Sequence, residues 1–301
     1  MIWAYLLHLS YNMWYQWDCP DDKRSYLYAR RYMRCSKKLW RELTNRMVDA
    51  GINMLVIDLG DGIQYKTHPE IAVRGAWRSD EVQEELARMR GMGLEPIPKL
   101  NFSAGHDAWL GPYSRCVSTE MYYRVCRDLI AEVIKVFRPR FFHLGMDEET
   151  AQHQRYNDYI VIRQFNLWWH DMLYLAEQVH KAGVRPWIWS DCIWNHRNIY
   201  LKRMPKTIIQ SNWYYNSTFN SKKEYVRSYH DLHLHGYEQI PTGSNYYSAT
   251  NFVKLVNYCK RNISSDRLLG FLQTCWQPTL NPCRERHIQA IEQVRLARLH
   301  E

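Results

Sequence analysis

The sequence predicts a single (β/α)₈ barrel that takes in residues 1–301. Its 301 residues exceed the roughly 250 that eight strand–helix units need. Short apolar runs rich in β-branched and aromatic residues alternate with longer amphipathic stretches, which is typical of parallel βα units. The main competitor, a doubly wound sheet, would need a glycine-rich phosphate turn, and neither GxGxxG nor GxxxxGK occurs.

Eight apolar runs are candidate strands, and the sequence between them has helical periodicity. Ser36 is the predicted N-cap of the first helix, which ends at Gly51. Ser79 opens the second helix, which closes around Gly91 and Gly93. The predicted strands cover residues 2–9, 53–59, 95–101, 140–146, 185–190, 207–213, 239–245 and 268–275.

Three further helices follow from the same periodicity. Thr119 starts the third helix. The fourth carries Phe165 and Trp168 on its apolar face and runs up to Gly183, and the last covers residues 284–299. No linker, repeat or low-complexity tract indicates a second domain.

The formal net charge of +9 raises the question of nucleic-acid binding. The basic residues are spread along the whole chain, and their densest clusters are pairs such as Lys23-Arg24 and Lys222-Lys223. Without a basic run, the pattern disfavours a nucleic-acid partner. It predicts a solvated basic surface, which could also favour an anionic polysaccharide.

The eight cysteines, Cys19 among them, are scattered without CxxC spacing. This pattern predicts neither a disulfide scaffold nor a zinc knuckle, but mostly buried thiols in a reducing compartment. No stretch approaches the ~20 apolar residues that span a membrane. The apolar start at residues 2–7 is too short for a signal sequence and suits a first strand. We expect a cytoplasmic protein without a membrane span, or a secreted one if a leader has been removed.

Aromatic residues make up 14% of the chain, with 13 Trp and 22 Tyr. A bulky barrel core would account for them. A carbohydrate site would do so equally well, because the apolar face of a sugar ring stacks on a flat aromatic side chain. Composition does not decide between the two.

Polar and aromatic side chains follow nearly every predicted strand. In (β/α)₈ barrels the active site lies at the C-terminal ends of the strands, so these side chains converge on one rim. In strand order the rim residues are His8, Ser10, Tyr11 and Asn12; Asp58 and Asp61; Lys99, Asn101 and His106; His143, Asp147 and Glu148; Trp189 and Asp191; Asn212, Trp213, Tyr214 and Tyr215; Asn245, Tyr246 and Tyr247; and Gln273 and Trp276.

The adjacent carboxyl groups of Asp147 and Glu148 end the fourth strand. On an extended segment they would point to opposite sides and so have different roles. Glu148 is the candidate general acid, with its pKa expected to be raised in an aromatic-lined pocket. Asp147 is the candidate for orienting a group of the substrate itself. Taken alone, an exposed turn or a helix N-cap would explain the pair equally well.

The segment His143-Leu144-Gly145-Met146-Asp147-Glu148 resembles the H-x-G-G-D-E signature of glycoside hydrolase family 20, the β-N-acetylhexosaminidases. His68-Pro69-Glu70 is similar to that family's YPE element. Gly93 to Pro98, running on to Ala104-Gly105-His106, resembles its third-strand stretch that ends in PGH. The likeness covers residues 45–150 with the motifs in the family's order. The chain is therefore interpreted as a divergent member, or as a sister family of the same clan.

The resemblance implies retaining, substrate-assisted hydrolysis by an exo-acting enzyme, in which the 2-acetamido oxygen of the substrate attacks the anomeric carbon. It implies that Asp147 holds the acetamido N–H and that Glu148 acts as acid and then base. His106 matches the histidine near the acid, and Tyr246 or Tyr247 would donate to the acetamido oxygen. The other substrate-binding residues expected are His143, Trp189, Asp191, Trp213 and Trp276. No cofactor and no metal ion are expected.

Several positions depart from the family pattern. The family's strand-one arginine has no counterpart in residues 8–12, and its strand-three acidic pair is replaced by Lys99 and Asn101. Met146 stands in place of the second signature glycine. In the family, these positions recognise sugar hydroxyl groups more than they take part in bond cleavage. The sequence therefore supports the type of reaction better than the identity of the sugar, which stays open between GlcNAc, GalNAc and another amino sugar. The expected partner is an oligosaccharide or glycoconjugate; the oligomeric state stays open.

Two other classes of function were weighed. A carbohydrate-binding barrel without catalysis would keep the aromatic walls, but it has no need of the Asp147-Glu148 pair. A metal-dependent hydrolase could use Asp231, His233 and His235. These three fall on the predicted helix after strand six, away from the rim, where a solvated helix face is the simpler interpretation.

Overall fold

The computed structural model of the protein describes residues 1–16 and 26–299. Cys19 and the Lys23-Arg24 pair lie outside the described residues. No helix in the described ranges is long and apolar enough to cross a membrane.

Eight parallel strands form a nearly closed barrel, in the order β6-β5-β4-β3-β2-β1-β8-β7. The predicted single (β/α)₈ barrel is confirmed. Between β6 and β7, isolated bridges at Gln210–Gln239 and Trp213–Thr242 replace a continuous ladder, and we call this junction the β6–β7 seam. The strands are β1 (Ile2–His8), β2 (Met54–Asp58), β3 (Glu95–Lys99), β4 (Phe141–His143), β5 (Arg185–Trp189), β6 (Ile209–Ser211), β7 (Thr242–Ser244) and β8 (Gly270–Thr274).

Each strand is followed by a helix that packs on the outside of the barrel. The Ser36 and Thr119 hydroxyls accept hydrogen bonds from Leu39 N and Tyr122 N, so the two predicted N-caps are confirmed. The helices are α1 (Lys37–Asp49), α2 (Ser79–Gly91), α3 (Glu120–Phe137), α4 (Asn166–Lys181), α5 (Cys192–Arg203), α6 (Glu224–Leu234), α7 (Asn251–Asn262) and α8 (Arg284–Leu299).

Two apolar clusters form the core. The smaller one takes every second residue of β1, namely Ile2, Ala4 and Leu6, with their counterparts on the other strands. Since alternate side chains of a barrel strand point inward, this cluster fills the interior. The larger cluster includes Trp3, Tyr5 and Leu7 and lies between the strands and the helices.

A polar layer lies above the apolar interior. His8, Asp58, Lys99 and His143 are paired in register across β1 to β4 and are all buried. Lys99 Nζ donates to Asp58 Oδ2 at 2.6 Å, and His8 Nδ1 lies 3.3 Å from the same oxygen. Burial raises the pKa of Asp58, but the Lys99 ammonium and the His8 ring together outweigh burial and hold the pKa below its ordinary value. The rim residues lie directly above this layer, at the C-terminal ends of the strands.

Several sequence-based predictions were wrong in detail. Strands β4, β6 and β7 are each three residues long, shorter than predicted. Phe165 precedes α4 in a left-handed conformation and is 87% exposed, so it is not on the apolar face. Asp231 is buried and accepts two hydrogen bonds from Arg197, so it is not part of a solvated face. Of the seven described cysteines, all free, only Cys126, Cys259 and Cys275 are buried.

Candidate functional site

The chain leaves β4 through a sharply bent segment. Gly145, Met146 and Glu148 have φ values of 71°, 73° and 52°. A non-glycine residue in this region is uncommon and strained. Met146 therefore adopts the left-handed backbone that a glycine adopts readily, which explains why glycine suits this position of the signature. Because the segment is not extended, the prediction that Asp147 and Glu148 point to opposite sides is wrong: both carboxylates face His106.

Gly145→Ala is expected to destabilise the fold well beyond Gly183→Ala. The two glycines have nearly equal φ, 71° and 72°, and a left-handed alanine costs about 1–2 kcal/mol at either position. A Cβ at Gly145 would in addition clash with the Asn101 side chain, whereas a Cβ at Gly183 meets nothing within 4 Å. Urea unfolding of both variants measures the difference. Equal losses in the free energy of unfolding would mean that the Asn101 side chain moves aside at no energetic cost.

Asp147, Glu148 and His106 form a compact cluster. His106 Nε2 lies 3.5 Å from Asp147 Oδ2 and 3.3 Å from Glu148 Oε2. Asn101 Nδ2 donates to Asp147 Oδ1 at 2.8 Å and fixes that carboxylate. On its other side, Glu148 Oε2 lies 3.3 Å from His153 Nε2. Glu148 is therefore held between two imidazoles.

The two imidazoles control the ionisation of Glu148. Burial raises the pKa of this carboxyl group, but His106 and His153 outweigh burial and hold the pKa below its ordinary value. The expected raised pKa of Glu148 is therefore wrong for the free protein. Burial lowers the pKa of His106, yet the Asp147 and Glu148 carboxylates hold it above its ordinary value. Both shifts favour His106 over Glu148 as the place of the proton that the pair shares.

A cavity of about 390 Å³ opens above this cluster at the C-terminal ends of the strands, within the roughly 300–1,000 Å³ of small-molecule sites. The lining combines two carboxylates with many aromatic rings. It comprises Tyr11, Trp14, Tyr15, Tyr26, Leu27, Asp147, Glu148, Gln152, His153, Arg155, Trp189, Trp213, Tyr215, Tyr246, Tyr247 and Trp276.

Three indole rings in the cavity wall lie close together, and their N–H groups have no hydrogen-bond partner. Trp276 lies 5.8 Å from Trp14 and 6.0 Å from Trp189 between ring centroids. The Nε1 atoms of all three are buried and have no hydrogen-bond partner. Buried donors without partners are uncommon in proteins. A ligand that offers both apolar ring faces and oxygen acceptors would satisfy this wall, and a sugar has both.

Seven of the ten residues predicted for the site line the cavity: Asp147, Glu148, Trp189, Trp213, Tyr246, Tyr247 and Trp276. His106, His143 and Asp191 lie behind the lining. His143 is fully buried, its Nδ1 accepts from Gly145 N, and its ring packs 4.4 Å from that of Trp189. Asp191 Oδ2 accepts from Glu148 N at 3.0 Å. Burial and the Asp147 carboxylate raise the pKa of Asp191 to about 8.

Trp14, His153 and Tyr215 were not among the predicted site residues. Tyr215 was expected on the rim but was not chosen for the site, although residues two apart on an extended segment share a face and Trp213 was chosen. The Trp213 and Tyr215 rings are stacked at 5.0 Å. Trp14 lies in a loop and His153 in a single 3₁₀ turn, Gln152–Gln154, and neither is long enough for a periodic pattern to indicate the direction of a side chain.

The fold was compared with known structures. A family 20 exo-β-N-acetylglucosaminidase from Vibrio harveyi, solved with N-acetylglucosamine, matches with a TM-score of 0.67 at 13% identity; the match covers 99% of this chain and 56% of that one. A β-N-acetylhexosaminidase from Bacteroides fragilis matches with a TM-score of 0.64 at 15% identity, over 97% and 65% of the two chains. The chain has the fold of these hexosaminidases.

A chitobiase from Flavobacterium johnsoniae matches the same fold with a TM-score of 0.67 at 18% identity, over 96% of this chain and 47% of that one. The chain thus spans about half to two thirds of the length of these hexosaminidases. No family model and no curated protein matches the sequence. At the level of the fold, the resemblance inferred from the strand-four signature is confirmed.

Proposed function

We propose that the protein is a retaining, substrate-assisted glycoside hydrolase that releases terminal β-linked N-acetylhexosamine. The observation that carries the proposal is the His106-bridged pair of Asp147 and Glu148 at the base of an aromatic cavity. The likeness in fold to β-N-acetylhexosaminidases supports it. A barrel that only binds sugar would not need this pair.

In the proposed mechanism the two carboxyl groups have different roles. Asp147, fixed by Asn101, accepts a hydrogen bond from the acetamido N–H, and the acetamido oxygen attacks the anomeric carbon as the glycosidic bond breaks. Glu148 donates its proton to the leaving oxygen, then takes a proton from the water that opens the oxazolinium ring. In the free protein His106 holds the proton that Glu148 must donate, so we assign His106 as a positioning residue that transfers it to Glu148.

The aromatic wall supplies the rest of the sugar site. Trp189, Trp213 and Trp276 enclose the pyranose and its acetamido group. Tyr246 and Tyr247 both line the cavity, so either can donate to the acetamido oxygen. Burial and the nearby Glu148 carboxylate raise the pKa of Tyr215, which therefore stays a neutral donor.

The test is release of 4-nitrophenol from the β-GlcNAc and β-GalNAc glycosides by the wild type and by Asp147→Asn. Activity on either sugar that collapses in the variant supports the proposal and selects the sugar. Binding of N-acetylhexosamine without hydrolysis would favour the non-catalytic carbohydrate-binding barrel. Absence of both would mean that the altered recognition positions select another substrate class.

The pH profile is expected to depend on His106. In the wild type, kcat/KM should fall as pH rises through the raised pKa of His106, because the site then loses the proton that Glu148 donates. In His106→Gln, Glu148 must hold the proton alone, so this alkaline limb should move to lower pH. His230→Gln is the control, since His230 is exposed on α6 and lies outside the cavity lining. If the alkaline limb of the kcat/KM profile of His106→Gln lay at the same pH as that of the wild type, another group would have to hold the proton.

A further inference from the structure

His153 is the second imidazole in contact with Glu148, and its surroundings differ from those of His106. The Nε2 atoms of both rings lie 3.3 Å from the same carboxylate oxygen, Glu148 Oε2. His106 is 1% exposed, whereas the His153 side chain is 35% exposed and lines the cavity. The proposed mechanism gives His106 the proton but leaves His153 without a role.

Thr150 orients the His153 ring. Its Oγ1 atom accepts a hydrogen bond from His153 N at 3.3 Å and lies 2.8 Å from His153 Nδ1. The Thr150 hydroxyl can therefore donate its own hydrogen to Nδ1. Since a carboxylate only accepts hydrogen bonds, these contacts favour a neutral ring whose hydrogen is on Nε2, on the side of Glu148.

The His153 ring is mostly neutral at neutral pH. Burial lowers the pKa of His153, and the Glu148 carboxylate offsets this effect only in part. Among the residues that the structure describes, the other charged or titratable groups that face the ring are His106, Asp147 and Arg155, while Asp191 and Tyr215 also face Glu148. A neutral N–H group beside a carboxylate stabilises the anion relative to the carboxylic acid.

The proposed reaction requires Glu148 in both forms in turn. In the first half Glu148 gives its proton to the leaving oxygen, and in the second half the carboxylate takes a proton from the water that opens the oxazolinium ring. Because one proton leaves and one returns, a turnover needs no proton from solvent, and a proton relay through His153 would serve no purpose. A group that stabilises the carboxylate acts on the second half.

We propose that His153 is a positioning residue for the second half of the reaction, in which its Nε2–H group holds the Glu148 carboxylate in place as the base that activates water. This inference rests on the proposed function. The separation of 3.3 Å is long for a hydrogen bond to a carboxylate, and catalytic contacts of this kind commonly tighten when the substrate is bound.

The two halves can be measured separately, because the synthetic oxazoline of an N-acetylhexosamine enters the reaction at the second half. His153→Leu removes the N–H donor, and His153→Gln keeps an amide N–H group in its place. A hydrogen bond to a charged group contributes enough for about a 10–100-fold loss in rate. We expect kcat/KM for oxazoline hydrolysis, with the spontaneous reaction subtracted, to fall by this factor in His153→Leu and to stay close to the wild type in His153→Gln.

Cleavage of the 4-nitrophenyl glycoside should change little in either variant, because this leaving group needs little protonation. His230→Leu is the control for both substrates, since His230 is exposed on α6 and lies outside the cavity lining. Equal losses in His153→Leu and His153→Gln on the oxazoline would overturn the inference, because the N–H donor would then not be what matters.

The pH dependence distinguishes this role from a merely structural one. Without the N–H donor, Glu148 keeps its proton up to a higher pH, so the acid limb of the oxazoline profile should move to higher pH in His153→Leu. In His153→Gln the limb should lie near that of the wild type. A lower rate in His153→Leu with the acid limb at the pH of the wild type would indicate a structural role and overturn the inference.

A titration without sugar separates this inference from the proposed function. The pKa of Glu148 is measured by ¹³C NMR of the glutamate carboxyl groups, with its signal assigned by its absence in Glu148→Gln. This pKa should be higher in His153→Leu than in the wild type, and an unchanged pKa would overturn the inference whether or not the protein is a hydrolase. A raised pKa in a protein that cleaves neither the glycosides nor the oxazolines would refute the proposed function, and with it the catalytic role of His153, but would confirm the contact.

Discussion

Glu148→Gln is expected to lower kcat for N-acetylhexosaminide hydrolysis by about 10²–10⁴-fold with little change in KM. The amide has the shape of the carboxyl group but cannot donate its proton to the leaving oxygen. The aromatic wall that binds the sugar is left intact, so substrate affinity should persist. Steady-state kinetics on a 4-nitrophenyl glycoside and on a disaccharide measure the effect. The loss should be larger for the disaccharide, because its leaving group depends more on protonation.

Glu177→Gln is the matched control for this variant. Glu177 is on α4 with its side chain 58% exposed and paired with Lys181, so its replacement should leave both kcat and KM unchanged. If Glu148→Gln retained the kcat of the wild type, the general acid would have to be another group. His106 and His153, the two imidazoles in contact with Glu148, would be examined next.

Arg163→Met is expected to destabilise the fold by about 3–5 kcal/mol, the range for breaking a buried ion network at one partner. The Arg163 guanidinium lies 2.6 Å from Glu149 Oε2 and 3.2 Å from Asp171 Oδ2, and all three side chains are buried. It also donates to Phe102 O at 2.9 Å. Methionine fills the space but leaves two carboxylates buried without a cation.

Urea unfolding measures this loss, with Arg140→Met as the control. Arg140 is 55% exposed and pairs with Glu95, and exposed pairs contribute only about 0–1 kcal/mol. Since Glu149 also accepts from Ala104 N, the network joins the loops after β3 and β4. Arg163→Met should therefore lower activity as well as stability. A loss no greater than that of Arg140→Met would mean that water reaches the carboxylates.

The sequence was sufficient to predict the barrel and the side of it on which the site lies. Both follow from local patterns, since strand and helix periods alternate and parallel strands end on one rim. This rule placed Trp189, Trp213 and Trp276 on the rim, the family resemblance assigned them to the substrate site, and all three line the cavity. A side chain that reaches the site because it directly follows a strand can therefore be predicted from the sequence.

The electrostatics of Glu148 could not be predicted in this way. Its lowered pKa depends on His106 and His153, which come from two separate loops. The orientation of its carboxylate depends on the left-handed φ of Met146 and of Glu148 itself. Asp191 was predicted to bind substrate, yet its carboxylate accepts from the Glu148 backbone. Contacts between distant loops produce no periodic pattern in the sequence, and neither do backbone conformations outside helices and strands. Such features cannot be predicted from periodicity.

The β6–β7 seam closes the barrel without a continuous ladder, yet backbone hydrogen bonds still cross it. Ile240 N donates to Gln210 O and Thr242 N donates to Asn212 O, both at 2.9 Å, while β6 and β7 keep their ladders with β5 and β8. Amide hydrogen exchange along the seam should therefore be slow, because local opening there requires these bonds to break. The wall that carries Trp213 is then held by backbone hydrogen bonds as the wall that carries Asp147 and Glu148 is, so a choice between sugars that differ in one hydroxyl configuration depends on side chains and not on movement of the backbone.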